Sequence, residues 1–120
     1  MRRERVLVVE GERMRRELLA TVLEGAGFAV VQATSGEEAF ARLRMERDGI
    51  DRLVTAPLAG AHVCAVILAD EFRSLRRGRE AVVIEGAASP AEVAAMLQRP
   101  ARAPAASAAA PATPALRNAA

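Results

Sequence analysis

The chain contains no lysine, no tryptophan and no tyrosine, and a single cysteine, Cys64, in 120 residues. One cysteine excludes an intrachain disulfide and any multi-cysteine metal site. No apolar run approaches the length that crosses a bilayer. The opening, MRRERVLVVEGE, is basic and then apolar, but its apolar run is four residues long and ends in acids. That is not a secretory leader, and the expected location is the cytoplasm. Aromatic residues are limited to Phe28, Phe40 and Phe72, so any core must be aliphatic. Basic stripes interleaved with aromatics are also missing, and no nucleic-acid partner is expected.

What is present is an even charge balance and a sharp change of composition near residue 100. All 17 basic residues are arginine. Two of them, Arg102 and Arg117, lie beyond residue 99, which leaves 15 against the 15 acids of the remainder. The high isoelectric point therefore says little about partners. Residues 100–120 are mostly alanine, proline, serine and threonine, without apolar periodicity. Pro104, Pro111 and Pro114 oppose an alanine helix, so this segment is expected to be a disordered tail. Residues 1–99 are then one domain, of a size that can still build a core. The arginine clusters at Arg13, Arg15 and Arg16, and at Arg73, Arg76, Arg77 and Arg79, read as solvated helix faces.

Along those 99 residues the hydrophobic period alternates. Val6 to Val9 is a short β-branched run typical of a strand buried on both faces. Arg13 to Gly25 is helical, with Met14, Leu18, Leu19, Val22 and Leu23 on one face and Gly25 and Gly27 as its stop. Phe28 to Ala33 is a second strand. Ser35 with Glu38 is a capping box, opening a helix whose inward residues are Ala39, Phe40, Leu43 and Met45. Asp48-Gly49 is a turn and Ile50 to Thr55 a third strand. After a loop at Pro57, Ala59 and Gly60, a helix from Val63 to Leu75 turns Val63, Ile67, Leu68, Phe72 and Leu75 inward, and Gly78 ends it. Ala81 to Ile84 is a fourth strand. Ser89, Pro90 and Glu92 then open a fourth helix with Val93, Met96 and Leu97 as its stripe. Four βα units in succession predict a parallel sheet covered on both faces, doubly wound through right-handed crossovers. Ligands in such sheets sit at the carboxyl ends of strands. The positions to watch are Glu10–Glu12, Ala56–Pro57 and Glu85–Gly86.

Residues 5–40, RVLVVEGERMRRELLATVLEGAGFAVVQATSGEEAF, resemble the opening of response-regulator receiver domains, the CheY-like family. The likeness lies in the strand, the acidic stretch, the helix, the GFAV strand and the ATSGEEA segment. DRLVTAPLAG and LADEFRSLRRGREAVVIEGAAS align with the third and fourth units, so the resemblance covers about residues 4–90. It implies a flavodoxin-like fold, a cytoplasmic protein and a place in two-component phosphorelay signalling. It also implies a chemistry in which an aspartate at the end of the third strand accepts a phosphoryl group. In the family, Mg²⁺ held by acids after the first strand neutralises the phosphoryl oxygens, with a hydroxyl after the fourth strand and a lysine after the fifth.

Against that pattern the acceptor position is occupied by Ala56, whose methyl cannot form an acylphosphate. The acidic pair is Glu10-Gly11, so one metal ligand is lengthened and one is lost, with Glu12 beside them. The hydroxyl, or switch, position is Glu85, which repels phosphate. The lysine position has no candidate, although Arg99-Pro100 is a possible remnant of a Lys-Pro pair, and the fifth βα unit is missing or degenerate. The expectation is a degenerate receiver: not an enzyme, without phosphoacceptor or cofactor. Only a weak Mg²⁺ remnant is left at Glu10 and Glu12. It would act as a phosphorylation-independent module that binds a two-component partner protein or itself. Two alternatives stand beside it: a phosphoacceptor using another acid, or a marginally stable remnant without function. Asp51 is the nearest other acid, but it begins the third strand, about 15 Å from the site at about 3.3 Å per residue. Glu10, Glu12 and Glu85 together read as a solvated acidic rim, with Arg52 or Arg99 as possible counter-charges. His62 and Cys64 lack an acid at a telling spacing for catalysis. Cys64 reads as a small helix-start residue. Gly25-Ala26-Gly27 follows a helix rather than a strand, which is the wrong context for a phosphate loop.

Overall fold

A computed structural model describes residues 3–45, 49–58, 60–76, 78–79, 81–84 and 88–98. The elements alternate as β1 (Arg5–Val9), α1 (Arg13–Gly25), β2 (Ala29–Ala33), α2 (Gly36–Met45), β3 (Arg52–Thr55), α3 (Ala65–Leu75), β4 (Ala81–Val83) and α4 (Pro90–Gln98). All pairings are parallel, and the strand order is β2-β1-β3-β4. This is the doubly wound α/β sheet predicted from the alternating periods. The expected tail, residues 100–120, and Arg99 lie outside the described residues.

The strands alternate their side chains between two cores. Val6, Val8 and Val54 pack with Leu19 and Leu23 of α1 and Val93, Ala94 and Leu97 of α4. Leu7, Val9 and Leu53 pack with Ala39 and Leu43 of α2 and Leu68 and Phe72 of α3. Each sheet face therefore carries two helices, and Val6–Val9 of β1 are fully buried between them as the continuous apolar run requires.

The side on which α4 lies explains the end of the sheet. The chain steps outward from β3 to β4 through α3, on the α2 face. A right-handed step to a strand beyond β4 needs another helix on that same face. Instead α4 covers the α1 face, where the Gln98 amide donates to the carbonyl of Ala26 at 3.3 Å. A fifth strand reached through α4 and placed beyond β4 would require a left-handed crossover. Among the described residues β4 is the sheet edge.

Local chemistry sets the element ends. The Ser89 hydroxyl accepts from the Glu92 N–H at 3.1 Å while the Glu92 carboxylate accepts from the Ser89 N–H at 2.7 Å, a reciprocal capping box. At α2 the box is displaced by one residue. Ser35 accepts from the Glu38 N–H, but Glu38 reaches back to the N–H and hydroxyl of Thr34. Those two bonds favour the charged form and lower the Glu38 pKa. Gly36 is required for packing: a Cβ there would lie 1.8 Å from the Val63 carbonyl oxygen. Gly27, with φ of 104°, turns the chain from α1 into β2, a conformation that glycine adopts at little cost.

Several residues expected inside lie outside. Met14 is 77% exposed, Leu18 55%, and Met45, Ile67 and Met96 are also exposed. Met45 is the last residue of α2. Ile67 and Met96 flank the true stripes, which run through Ala65, Leu68, Ala69 and Phe72 in α3 and through Val93, Ala94 and Leu97 in α4. Met14 and Leu18 fall outside the buried arc of α1, which runs through Leu19, Ala20 and Leu23.

Candidate functional site

The carboxyl ends of β1 and β3 lie side by side, because Val9 pairs with Thr55. Glu10 and Ala56 are the next residues, and the Ala56 N–H donates to the Val9 carbonyl at 2.9 Å. Above them opens a cleft of about 740 Å³, bounded by α1, the loop after β3 and the start of α4. Its floor holds Glu10, Gly11 and Ala56, and its walls are mainly aliphatic, including Leu18, Leu58, Ile84 and Val93. Leu58 shapes the loop at a φ of 57°, a left-handed conformation that is costly for a residue with a Cβ. The exposure of Leu18 thus has a location: it lines this cleft.

The acids beside the cleft are committed to the backbone. The Glu10 residue is only 9% exposed. Its Oε2 accepts from the Glu12 N–H at 2.9 Å, and its Oε1 lies 3.7 Å from the Arg15 Nε. The Glu12 carboxylate turns away to cap α1, accepting from the Arg15 N–H at 2.8 Å. The Arg16 guanidinium donates to the Glu10 carbonyl at 3.0 Å and to Gln32 at 3.1 Å. Thr55, fully buried, donates its hydroxyl to the Ala56 carbonyl at 2.7 Å.

A Mg²⁺ ion seeks an octahedral set of oxygens. This floor offers Glu10 alone, Gly11 supplies no side chain, and Ala56 supplies a methyl. Among the described residues no group of three His, Cys, Asp or Glu side chains could hold a metal. The described residues of this floor do not fit the ion. A Cβ at Gly11 would meet only the Thr34 carbonyl oxygen, at 3.4 Å, so space alone does not require glycine there.

Other residues singled out from the sequence fall elsewhere. Glu85 and Arg99 lie outside the described residues. Arg52 is not a counter-charge for this rim; it pairs with Glu4 at 3.1 Å beneath the amino ends of the strands. Asp51 is at that same end, fully buried, accepting from the Arg5 N–H at 2.9 Å and from Arg76 at 3.1 Å. Arg76 and Arg79 therefore belong to ion pairs at the foot of the sheet rather than to a solvated helix face. Cys64 is the N-cap residue of α3, and the N–H groups of Ile67 and Val66 lower its pKa by favouring the thiolate. His62 is exposed in the preceding loop.

No protein-family model and no curated protein matches the chain. Solved structures do. The receiver domain of the hybrid histidine kinase CckA is 20% identical over 78% of this chain and 95% of that one, with a TM-score of 0.67. A response regulator receiver domain protein from Clostridium thermocellum is 17% identical over 67% of this chain, which spans 63% of that one, with a TM-score of 0.60. NtrX from Brucella abortus is 19% identical over 97% of this chain but 24% of its own, with a TM-score of 0.61. Among the described residues no helix is long and apolar enough to cross a membrane. Strand order, two-faced cover and these likenesses agree that the chain has the fold of a receiver domain.

Proposed function

We propose that residues 1–99 are a degenerate receiver that serves two-component signalling as a protein-interaction module without being phosphorylated, with residues 100–120 as a disordered tail. The observation that carries the reading is the methyl of Ala56 at the floor of the cleft, directly after β3, where the fold places its reactive carboxylate. Gly11 and the backbone-committed Glu10 support it, because phosphoryl transfer to a carboxylate depends on a metal and on positioned charge. Asp51 does not substitute. It is buried at the opposite end of β3 and bonded to an amide and a guanidinium. The protein is then cytoplasmic and not an enzyme, and it uses no cofactor.

Its partner is another protein of such a pathway or a second copy of itself. The edge of β4 suits self-association. The Ile84 N–H points inward to the Thr55 carbonyl at 2.8 Å, so strand alternation turns the N–H and C=O of Val83 outward. An antiparallel copy centred on Val82 would set Ala81 opposite Val83. At three residues the strand is short, which limits the strength of such pairing.

The test combines a small-molecule phosphodonor with Mg²⁺ and reads the intact mass of the purified chain. The expected spectrum is unchanged. An added phosphoryl mass overturns the reading. Sedimentation at tens of micromolar, with amide exchange at Val83, tests the edge: a monomer whose Val83 amide exchanges like that of a covered strand rejects it.

A further inference from the structure

The cleft has the build of a ligand site in its own right. Its volume of about 740 Å³ falls in the range of small-molecule pockets, roughly 300–1,000 Å³. Its walls are aliphatic, from Leu18 on α1, Leu58 after β3, Ile84 after β4 and Val93 on α4. Leu18 and Leu58 are placed at a cost, one exposed on a helix and the other in a left-handed backbone conformation. Leu18 joins neither core, Leu58 packs only at the margin of the α2–α3 core, and both line the same space.

Glu10, Arg15 and Ser89 break this apolar lining, and the Ser89 hydroxyl is already taken by the Glu92 N–H. The Glu10 side chain is 12% exposed, and its Oε2 is filled by the Glu12 N–H. Its Oε1 accepts no hydrogen bond among the described residues. The nearest cation is the Arg15 Nε at 3.7 Å, beyond hydrogen-bond distance, on a side chain that is 73% exposed and also lies 3.7 Å from Glu12. A buried carboxylate oxygen gains most from a charge-assisted donor at short range. An exposed arginine can yield that place to a ligand by moving into solvent. The geometry points to a site for a small molecule with an aliphatic body and one protonated amine, the amine on Glu10 Oε1 and the body between Leu18, Leu58, Ile84 and Val93. A hydrated metal ion is a poor match for these walls, and an anion would meet Glu10. The site does not depend on any signalling role.

The experiment titrates the full chain with n-butyl-, n-hexyl- and n-octylammonium, following the amide NMR signals of Leu18, Ala56 and Val93. The matching alcohols and carboxylates are run in parallel. The ammonium series should bind saturably and tighten by about fourfold per added methylene until the cleft is filled. It should exceed the alcohols by about tenfold, and Glu10→Gln should bring it down to their level. Ala56→Leu, which fills the floor without touching Glu10, should weaken amines and alcohols alike. Circular-dichroism melts confirm that each variant is folded. Absence of saturable binding by the amines, carboxylates binding as tightly as amines, or a folded Glu10→Gln variant that keeps full amine affinity would each overturn the proposal. Loss of this site would leave the phosphodonor result untouched, so the two readings fail separately.

Discussion

The two ends of the sheet are built from different materials. At the amino end, Glu4 sits between Arg52 and Arg79 at 3.1 and 3.0 Å, and buried Asp51 joins the Arg5 amide to Arg76. At the carboxyl end, where a receiver fold carries its chemistry, the floor is Gly11, Ala56 and one carboxylate bonded to its own turn. At the amino end the charged groups secure strands to one another, whereas Glu10 and Glu12 at the carboxyl end hold backbone N–H groups of the turn into α1. On the proposed reading, a fold can lose its reaction without losing its frame, because the two depend on opposite ends of the same strands.

The largest effect is expected where the carboxyl end depends on close backbone contact. Gly36→Ala drives a methyl into the Val63 carbonyl and should lower unfolding free energy by about 3 kcal/mol in urea titration. A comparison of acids probes the contrast directly. Asp51→Ala strands the Arg5 amide and a half-buried guanidinium and should cost about 2–3 kcal/mol, whereas Glu10→Ala should cost about 1 kcal/mol. Equal losses at the two ends would break the comparison.

Smaller effects follow at the helix starts. Ser89→Ala removes the cap of α4, which closes one wall of the cleft, and should cost about 1 kcal/mol by thermal or urea unfolding. Glu38 has a folded-state pKa below its unfolded value, so its contribution is complete above the unfolded pKa, near 4.5. It is lost as pH falls through the folded value. The stability difference between wild type and Glu38→Gln should accordingly shrink in that acid window. The smallest effect concerns Cys64. Its alkylation rate should rise with pH about a midpoint below that of free cysteine, as thiol titration with iodoacetamide would record.

Much of the frame was legible because local rules decide it. The run at Val6–Val9, the stop at Gly25–Gly27 and the box at Ser89–Glu92 each place one element without reference to the others. The carboxyl-end positions followed from strand order alone, and Ala56 lies where that reasoning put it. The remainder needed three dimensions. The stripe of Val93 and Leu97 says that α4 has a buried face but not which side of the sheet receives it. Helical periodicity placed Met14 and Leu18 with Leu19 and Leu23; the arc that the fold covers is narrower and runs through Leu19, Ala20 and Leu23. Asp51 gave no sign of its partners, since Arg5 and Arg76 are 46 and 25 residues away in sequence. The cleft was invisible for the same reason: its walls come from four separate segments.

The central claim is that the carboxyl end of this sheet no longer supports metal-dependent phosphoryl chemistry. A Mg²⁺ titration followed through the amide signals of Glu10, Gly11 and Ala56 tests it most directly. The account predicts that these three signals stay fixed through millimolar Mg²⁺. Saturable shifts confined to them would contradict it.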